Sequence, residues 1–150
     1  MNPEYKGNKS VIVFGTFDVF HLGHEYFLKK AKALGDYLTV VIARDKTVKK
    51  VKGEYPQHNE KQRMENVKSS GIPDKVVLGN FDDKYKIIRK IKPNIIALGY
   101  DQFVFTYKLN KMIIDEKMDT EIIRLESYEP NLYKSSFIKS ANEENNEQET

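Results

Sequence analysis

At 150 residues and 17.5 kDa the chain is long enough for one domain around a single core, and with no cysteine it has no disulfide framework, thiolate metal site or cysteine nucleophile. Its formal charge of +3 is uneven, because Asn142 to Thr150 carries four Glu and no Lys or Arg, which leaves +7 on residues 1–141 and favours anionic ligands from a nucleotide to a nucleic acid. The polar start MNPEYKGNKS lacks the apolar core of a signal peptide, and no apolar run approaches the roughly 18 residues of a membrane span.

A cytoplasmic protein with no membrane partner is therefore expected, with a polar arm at 1–10, one domain at 11–141 and a disordered acidic tail at 142–150. Val11 to Phe14 is a continuous β-branched and aromatic run, the mark of a strand buried on both faces of a parallel sheet. Gly15 ends it. From His24, the apolar positions Phe27, Leu28, Ala31 and Leu34 recur at helical spacing up to Gly35, which reads as a residue just past a helix end. Tyr37 to Ala43 is a second buried strand, and Val76 to Leu78 and Ile95 to Leu98 are a third and fourth, with helix-like stretches at Glu60 to Ser69 and Lys84 to Ile91 between them. A further amphipathic stretch from about Phe105 to Glu116 precedes a fifth strand at Glu121 to Leu125. This alternation predicts a Rossmann-like α/β fold: a doubly wound, parallel, five-stranded sheet with helices on both faces and ligands at the carboxyl ends of its strands.

The chemistry is concentrated between the first strand and the first helix, in Gly15-Thr16-Phe17-Asp18-Val19-Phe20-His21-Leu22-Gly23-His24. A strand's carboxyl end leading into a helix N-terminus suits an anion, since the free N–H groups and the helix dipole both favour negative charge there. His21 and His24 lie three apart with Gly23 permitting close approach, so two imidazoles can serve one phosphate. Zinc would need a third His or Cys ligand, which is not at hand, and no resident metal site is expected.

The strand ending in Gly15-Thr16-Phe17-Asp18, then His21-x-Gly23-His24, then a helix and GDYLTVVIARD, resembles the cytidylyltransferase-like nucleotidyltransferases from about residue 11 to 140. The resemblance implies that His21 and His24 contact the NTP phosphates and steady the α-phosphate as pyrophosphate departs. Such a reaction asks the protein for positioning and charge neutralisation, with a Mg²⁺ ion shared by triphosphate oxygens. In this family a basic loop after the second strand closes on the triphosphate, which implies that Lys49 or Lys50 of RDKTVKKVKG reaches it, while Lys46 and Lys52 read as a solvated face. Arg63 matches the family's Glu-x-x-Arg arginine and either faces the active site or forms a surface salt bridge. Gly99-Tyr100-Asp101-Gln102, after the fourth strand, is placed to line the base and ribose pocket, and Ser135 and Ser136 match a hydroxyl-rich turn that serves the β- and γ-phosphates.

Within the family, ARDKTVKK, the Gly99-Tyr100-Asp101-Gln102 turn and Tyr133-Lys134-Ser135-Ser136 look closest to the archaeal-type FAD synthases, which implies ATP as donor, FMN as acceptor and FAD as product. The runner-up is a glycerol-3-phosphate cytidylyltransferase with CTP as donor. Its Gly-Asp-Asp-Trp-like turn and Arg-Thr-x-Gly-Ile-Ser-Thr-Thr signature are both missing from this chain. A non-catalytic nucleic-acid-binding role is supported by no aromatic-basic RNA motif and no helix-turn-helix pattern, so no nucleic-acid partner is expected. The oligomeric state is open, a homodimer being one option.

Overall fold

The computed structural model describes residues 9–81, 83, 85–99 and 103–126. Five strands, β1 (Ser10–Gly15), β2 (Tyr37–Ile42), β3 (Lys75–Leu78), β4 (Ile95–Leu98) and β5 (Glu121–Arg124), form one sheet in the order β3-β2-β1-β4-β5. Every pairing is parallel. Five helices join them: α1 (Leu22–Lys32), α2 (Asp45–Lys52), α3 (Glu60–Ser69), α4 (Lys86–Ile91) and α5 (Phe103–Asp115).

The strands form where they do because their side chains alternate between two hydrophobic layers. Val11, Val13, Leu38, Val40, Ile95 and Ala97 face one way and pack with Leu28 and Ala31 of α1 and Val67 of α3. Ile12, Val41, Ile96 and Leu98 face the other way, against Ile88 of α4 and Leu109 and Met112 of α5. The sheet is doubly wound, as the alternation predicts. The winding reverses between β1 and β4, so the open end of this architecture lies beyond Gly15 and Leu98.

Three expectations need correction. Lys9 and Ser10 belong to the fold rather than to an arm, since Ser10 opens β1 and the Lys9 carbonyl accepts from the Asp36 amide at 2.7 Å. The basic stretch after β2 is not a loop but the helix α2, closed by Gly53 in the left-handed conformation at φ +89°. Gly35 does not end α1 in a left-handed turn, because the helix stops at Lys32 and Ala33 caps it in the right-handed region. Its lack of a side chain serves packing instead: a Cβ there would meet the Lys9 carbonyl oxygen at 2.7 Å and a Val11 methyl at 2.7 Å.

Tyr100, Asp101, Gln102, Ser135, Ser136 and the acidic tail lie outside the described residues. Among the described residues no helix is long and apolar enough to cross a membrane. Because backbone cannot yield as a side-chain tip can, Gly35→Ala should cost about 1–3 kcal/mol, the scale of overpacking, read as a lower urea midpoint at unchanged slope.

Candidate active site

The loop leaving β1 is held in an uncommon backbone path. Phe17 and Val19 both take positive φ, +53° and +48°, a region that a β-branched residue such as Val enters only at a cost of roughly 1–3 kcal/mol. Three anchors maintain it. The Phe17 ring is buried and lies so close over Gly15 that a Cβ on Gly15 would meet it at 2.6 Å. Asp18 accepts from the backbone amides of Gln57 at 2.7 Å and His58 at 2.9 Å. Arg63 donates to the Thr16 carbonyl at 2.9 Å.

Arg63 is fully buried, so the ion pair it forms is internal rather than on the surface. Its guanidinium is spent inside the protein, on the His58 carbonyl at 2.9 Å, the Thr16 carbonyl and an Asp45 carboxylate oxygen at 2.7 Å. Asp18 is likewise committed, both of its oxygens holding the 57–58 backbone. Burial works against its charged form, yet the amides of His58 and Gln57 and the nearby cationic groups hold its carboxyl below the usual range. Gly15 and Thr16 enter these contacts through packing and backbone.

His21 and His24 do come together. Their rings stack with centroids 3.9 Å apart and planes within 22°, and His24 also meets the rings of Phe17 at 5.4 Å and Phe20 at 5.5 Å. His21 is the N-cap of α1, its Nδ1 accepting from the Gly23 amide at 3.0 Å while its own amide donates to His24 Nδ1 at 3.3 Å. Gly23 leaves room for this cap, since a Cβ there would meet His21 Cε1 at 2.9 Å. With both Nδ1 atoms accepting from backbone, each ring carries a proton on Nε2, leaving two N–H donors at the head of α1.

Burial pulls the His24 pKa down to about 4, aided by the charges of His21 and Lys52 and opposed by Asp18. At neutral pH His24 is thus an uncharged donor.

The α2 lysines take different contacts in the free protein. Lys49 folds back, donating to the Gly53 carbonyl at 3.0 Å with its ammonium 5.4 Å over the Tyr55 ring, and Lys50 lies 5.8 Å over Phe81. Lys52 is the α2 lysine whose charge is felt at His24. Helical spacing accounts for this, because Asp45, bound to Arg63, and Val48, buried, form the inward stripe of α2, and Lys52 is the next position on it. A local reading had no signal for this stripe, since Val48 is the sole buried residue of α2.

Gly99 follows β4 as expected, with its carbonyl accepting from Arg124 at 2.7 Å. Among the described residues no group of three or more His, Asp or Glu could hold a metal ion.

The profile of the cytidylyltransferase-like family matches residues 12–141. The chain is 37% identical over 129 residues to the FAD synthase of Thermoplasma acidophilum, covering 86% of this chain and 90% of that protein. It is 45% identical over 116 residues to the FAD synthase of Methanosarcina mazei, covering 77% and 75%. Among solved structures, the lipopolysaccharide core biosynthesis protein of Thermoplasma volcanium superposes with a TM-score of 0.75 at 37% identity, over 81% of this chain and 99% of that one. A pantoate–β-alanine ligase from Francisella tularensis, 21% identical with a TM-score of 0.65 over 85% and 62%, shares the fold.

Two outcomes follow from this geometry. Arg63→Met should cost about 3–5 kcal/mol in chemical denaturation, because Asp45 and two carbonyls lose their partner in a buried setting. Unfolded His titrates near 6.5, well above the folded value, so as pH falls from about 6.5 to 4 the unfolded chain takes up a proton that folded His24 refuses, and stability drops across that window while none is lost above it. An NMR titration of the free protein should place the His24 midpoint near 4, and His24→Gln should flatten the acid-side fall; a midpoint of 6.5 or higher would contradict the neutral donor.

Proposed function

Because this chain belongs to the cytidylyltransferase-like family, we propose that it is an FAD synthase, transferring the AMP part of ATP to FMN with release of pyrophosphate. The donor and acceptor rest on the relatives named FAD synthase, which align with most of the chain. The observation that carries the chemistry is the stacked pair His21 and His24, with both Nδ1 atoms bound to backbone at the head of α1.

An FMN phosphate oxygen attacks the α-phosphorus of ATP in line. The new P–O bond forms as the bond from that phosphorus to the oxygen bridging to the β-phosphate breaks, and the electron pair leaves with pyrophosphate. A phosphomonoester is largely ionised at pH 7, so no general base is needed, and the barrier falls through positioning and charge neutralisation. The His21 and His24 Nε2–H groups donate to phosphate oxygens on which charge builds in the transition state, supported by the α1 N-terminus. An anion there would favour protonation of His24 and lift its pKa from the value of the free protein. Lys52 is the cation we assign to the triphosphate, in place of Lys49 or Lys50. Mg²⁺ on the triphosphate oxygens would supply further neutralisation. Gly99 and the Tyr100, Asp101 and Gln102 that follow it are assigned to the adenosine side, at the carboxyl end of β4, and Ser135 and Ser136 to the phosphates. The small soluble substrates ATP and FMN support the reading of a cytoplasmic enzyme.

Incubation with ATP, FMN and Mg²⁺ should yield FAD and pyrophosphate, whereas CTP with glycerol 3-phosphate should release none. His24→Ala and His21→Ala should each lower kcat by roughly 10²- to 10³-fold, and the double variant by less than the product, as expected of donors sharing one phosphate. Lys52→Ala should weaken ATP turnover far more than Lys49→Ala or Lys50→Ala. An activity for His24→Ala close to that of the parent enzyme would sink the assigned role.

A further inference from the structure

At the carboxyl ends of β2 and β3, distinct from the histidine pair, lies an open cavity of about 880 Å³, walled by Arg44, Lys46, Tyr55, Lys61, Asn80 and Phe81 among others. Its volume lies in the range of cofactor-sized pockets, roughly 300–1,000 Å³. Two acids also line it, but both are spent: Asp45 on Arg63 at 2.7 Å, and Glu60 on Arg44 at 3.3 Å and on the Asp45 amide at 2.8 Å. Lys46 and Lys61 have no ion-pair partner among the described residues. The cavity therefore presents net positive charge.

Its aromatic lining is unusual for a solvated wall. Tyr55 is 61% exposed and Phe81 51%, although each carries a large apolar ring, and both stand on the same cavity. A lone exposed ring needs no explanation, whereas two rings sharing one cationic cavity form a surface that a flat π-system with an anionic tail would cover. The lysines over these rings, Lys49 and Lys50, add positive charge at the rim. The cavity is also mechanically tied to the phosphate loop, because Asp45 forms part of its wall and is bound to the same guanidinium that holds the Thr16 carbonyl.

We infer that this cavity is the flavin pocket, with the isoalloxazine ring lying against Tyr55 and Phe81 and the ribityl phosphate directed to the histidine pair. The assignment rests on the FAD-synthase reading and adds to it the residues that select the acceptor. Tyr55 and Phe81 touch the ring and take no part in the phosphoryl chemistry, so their effect falls on FMN affinity.

The test uses the full chain and its Tyr55→Leu and Phe81→Leu variants, with FMN binding read by quenching of flavin fluorescence, ATP binding by calorimetry and FAD formation by chromatography. Each variant should raise the FMN Kd and KM by roughly 5- to 100-fold, the scale of losing a stacking partner, while the ATP Kd and the kcat at saturating FMN stay within about twofold. If the parent protein neither binds FMN nor forms FAD, the FAD-synthase reading falls and the pocket with it. If the parent does both while the variants bind FMN as the parent does, or lose ATP instead, the pocket assignment alone is overturned.

Discussion

A fully buried guanidinium is costly to remove from water, by several kcal/mol after relaxation, and Arg63 is such a group. Its three bonds offset that cost and in doing so fix the relative positions of three separate segments. The Thr16 carbonyl belongs to the loop leaving β1, the His58 carbonyl to the segment before α3, and Asp45 to the first turn of α2. Each lies at the carboxyl end of the sheet, and none is near the others in sequence. Asp45 is doubly suited to its place, since a carboxylate in a helix's first turn also interacts favourably with the helix dipole. The result is a rigid frame beneath the loop after β1, on which both the histidine pair and the cavity at the ends of β2 and β3 depend.

On that frame the two histidines are held in fixed orientation, with His24 uncharged at neutral pH. Their Nδ1 atoms are committed to the start of α1, and the stacking of His21 on His24, with Phe17 edge-on and Phe20 tilted against His24, limits how the rings can turn. The positive φ values at Phe17 and Val19 show that the loop stores strain, and the Arg63, Asp18 and Phe17 anchors are what hold it there. Groups fixed in advance need little reorganisation as charge moves onto departing pyrophosphate, the condition under which hydrogen-bond donors contribute most to rate.

The two ligand regions also divide the labour electrostatically. Near the histidines, Lys52 supplies the local cation and thereby helps keep His24 unprotonated in the free protein. Around the cavity, the acids are paired and the lysines are not, so the charge offered to a ligand is positive without being concentrated at the reacting phosphorus. That arrangement suits an acceptor bound mainly by its ring and steered by its phosphate.

The architecture was legible in local patterns of the chain. Continuous β-branched runs report strands buried on both faces, their alternation with helices implies a parallel doubly wound sheet, and the His21-x-Gly23-His24 loop falls where such a sheet binds anions. These are local patterns with short-range causes. Only the tertiary structure decided which charged residues are free to act. Helix α2 carries local signals, Asp45 in its first turn and Gly53 past its end, but its run of cations masks them, and its N-terminus is secured from outside by Glu60, fifteen positions away, and by Arg63. Arg63, read from sequence as facing the active site or pairing at the surface, and Asp18 hold the frame from within, while the charge of Lys52, one helical turn beyond Val48, acts on His24. A charge has no period along the chain, and its role is fixed by partners distant in sequence that folding alone brings together.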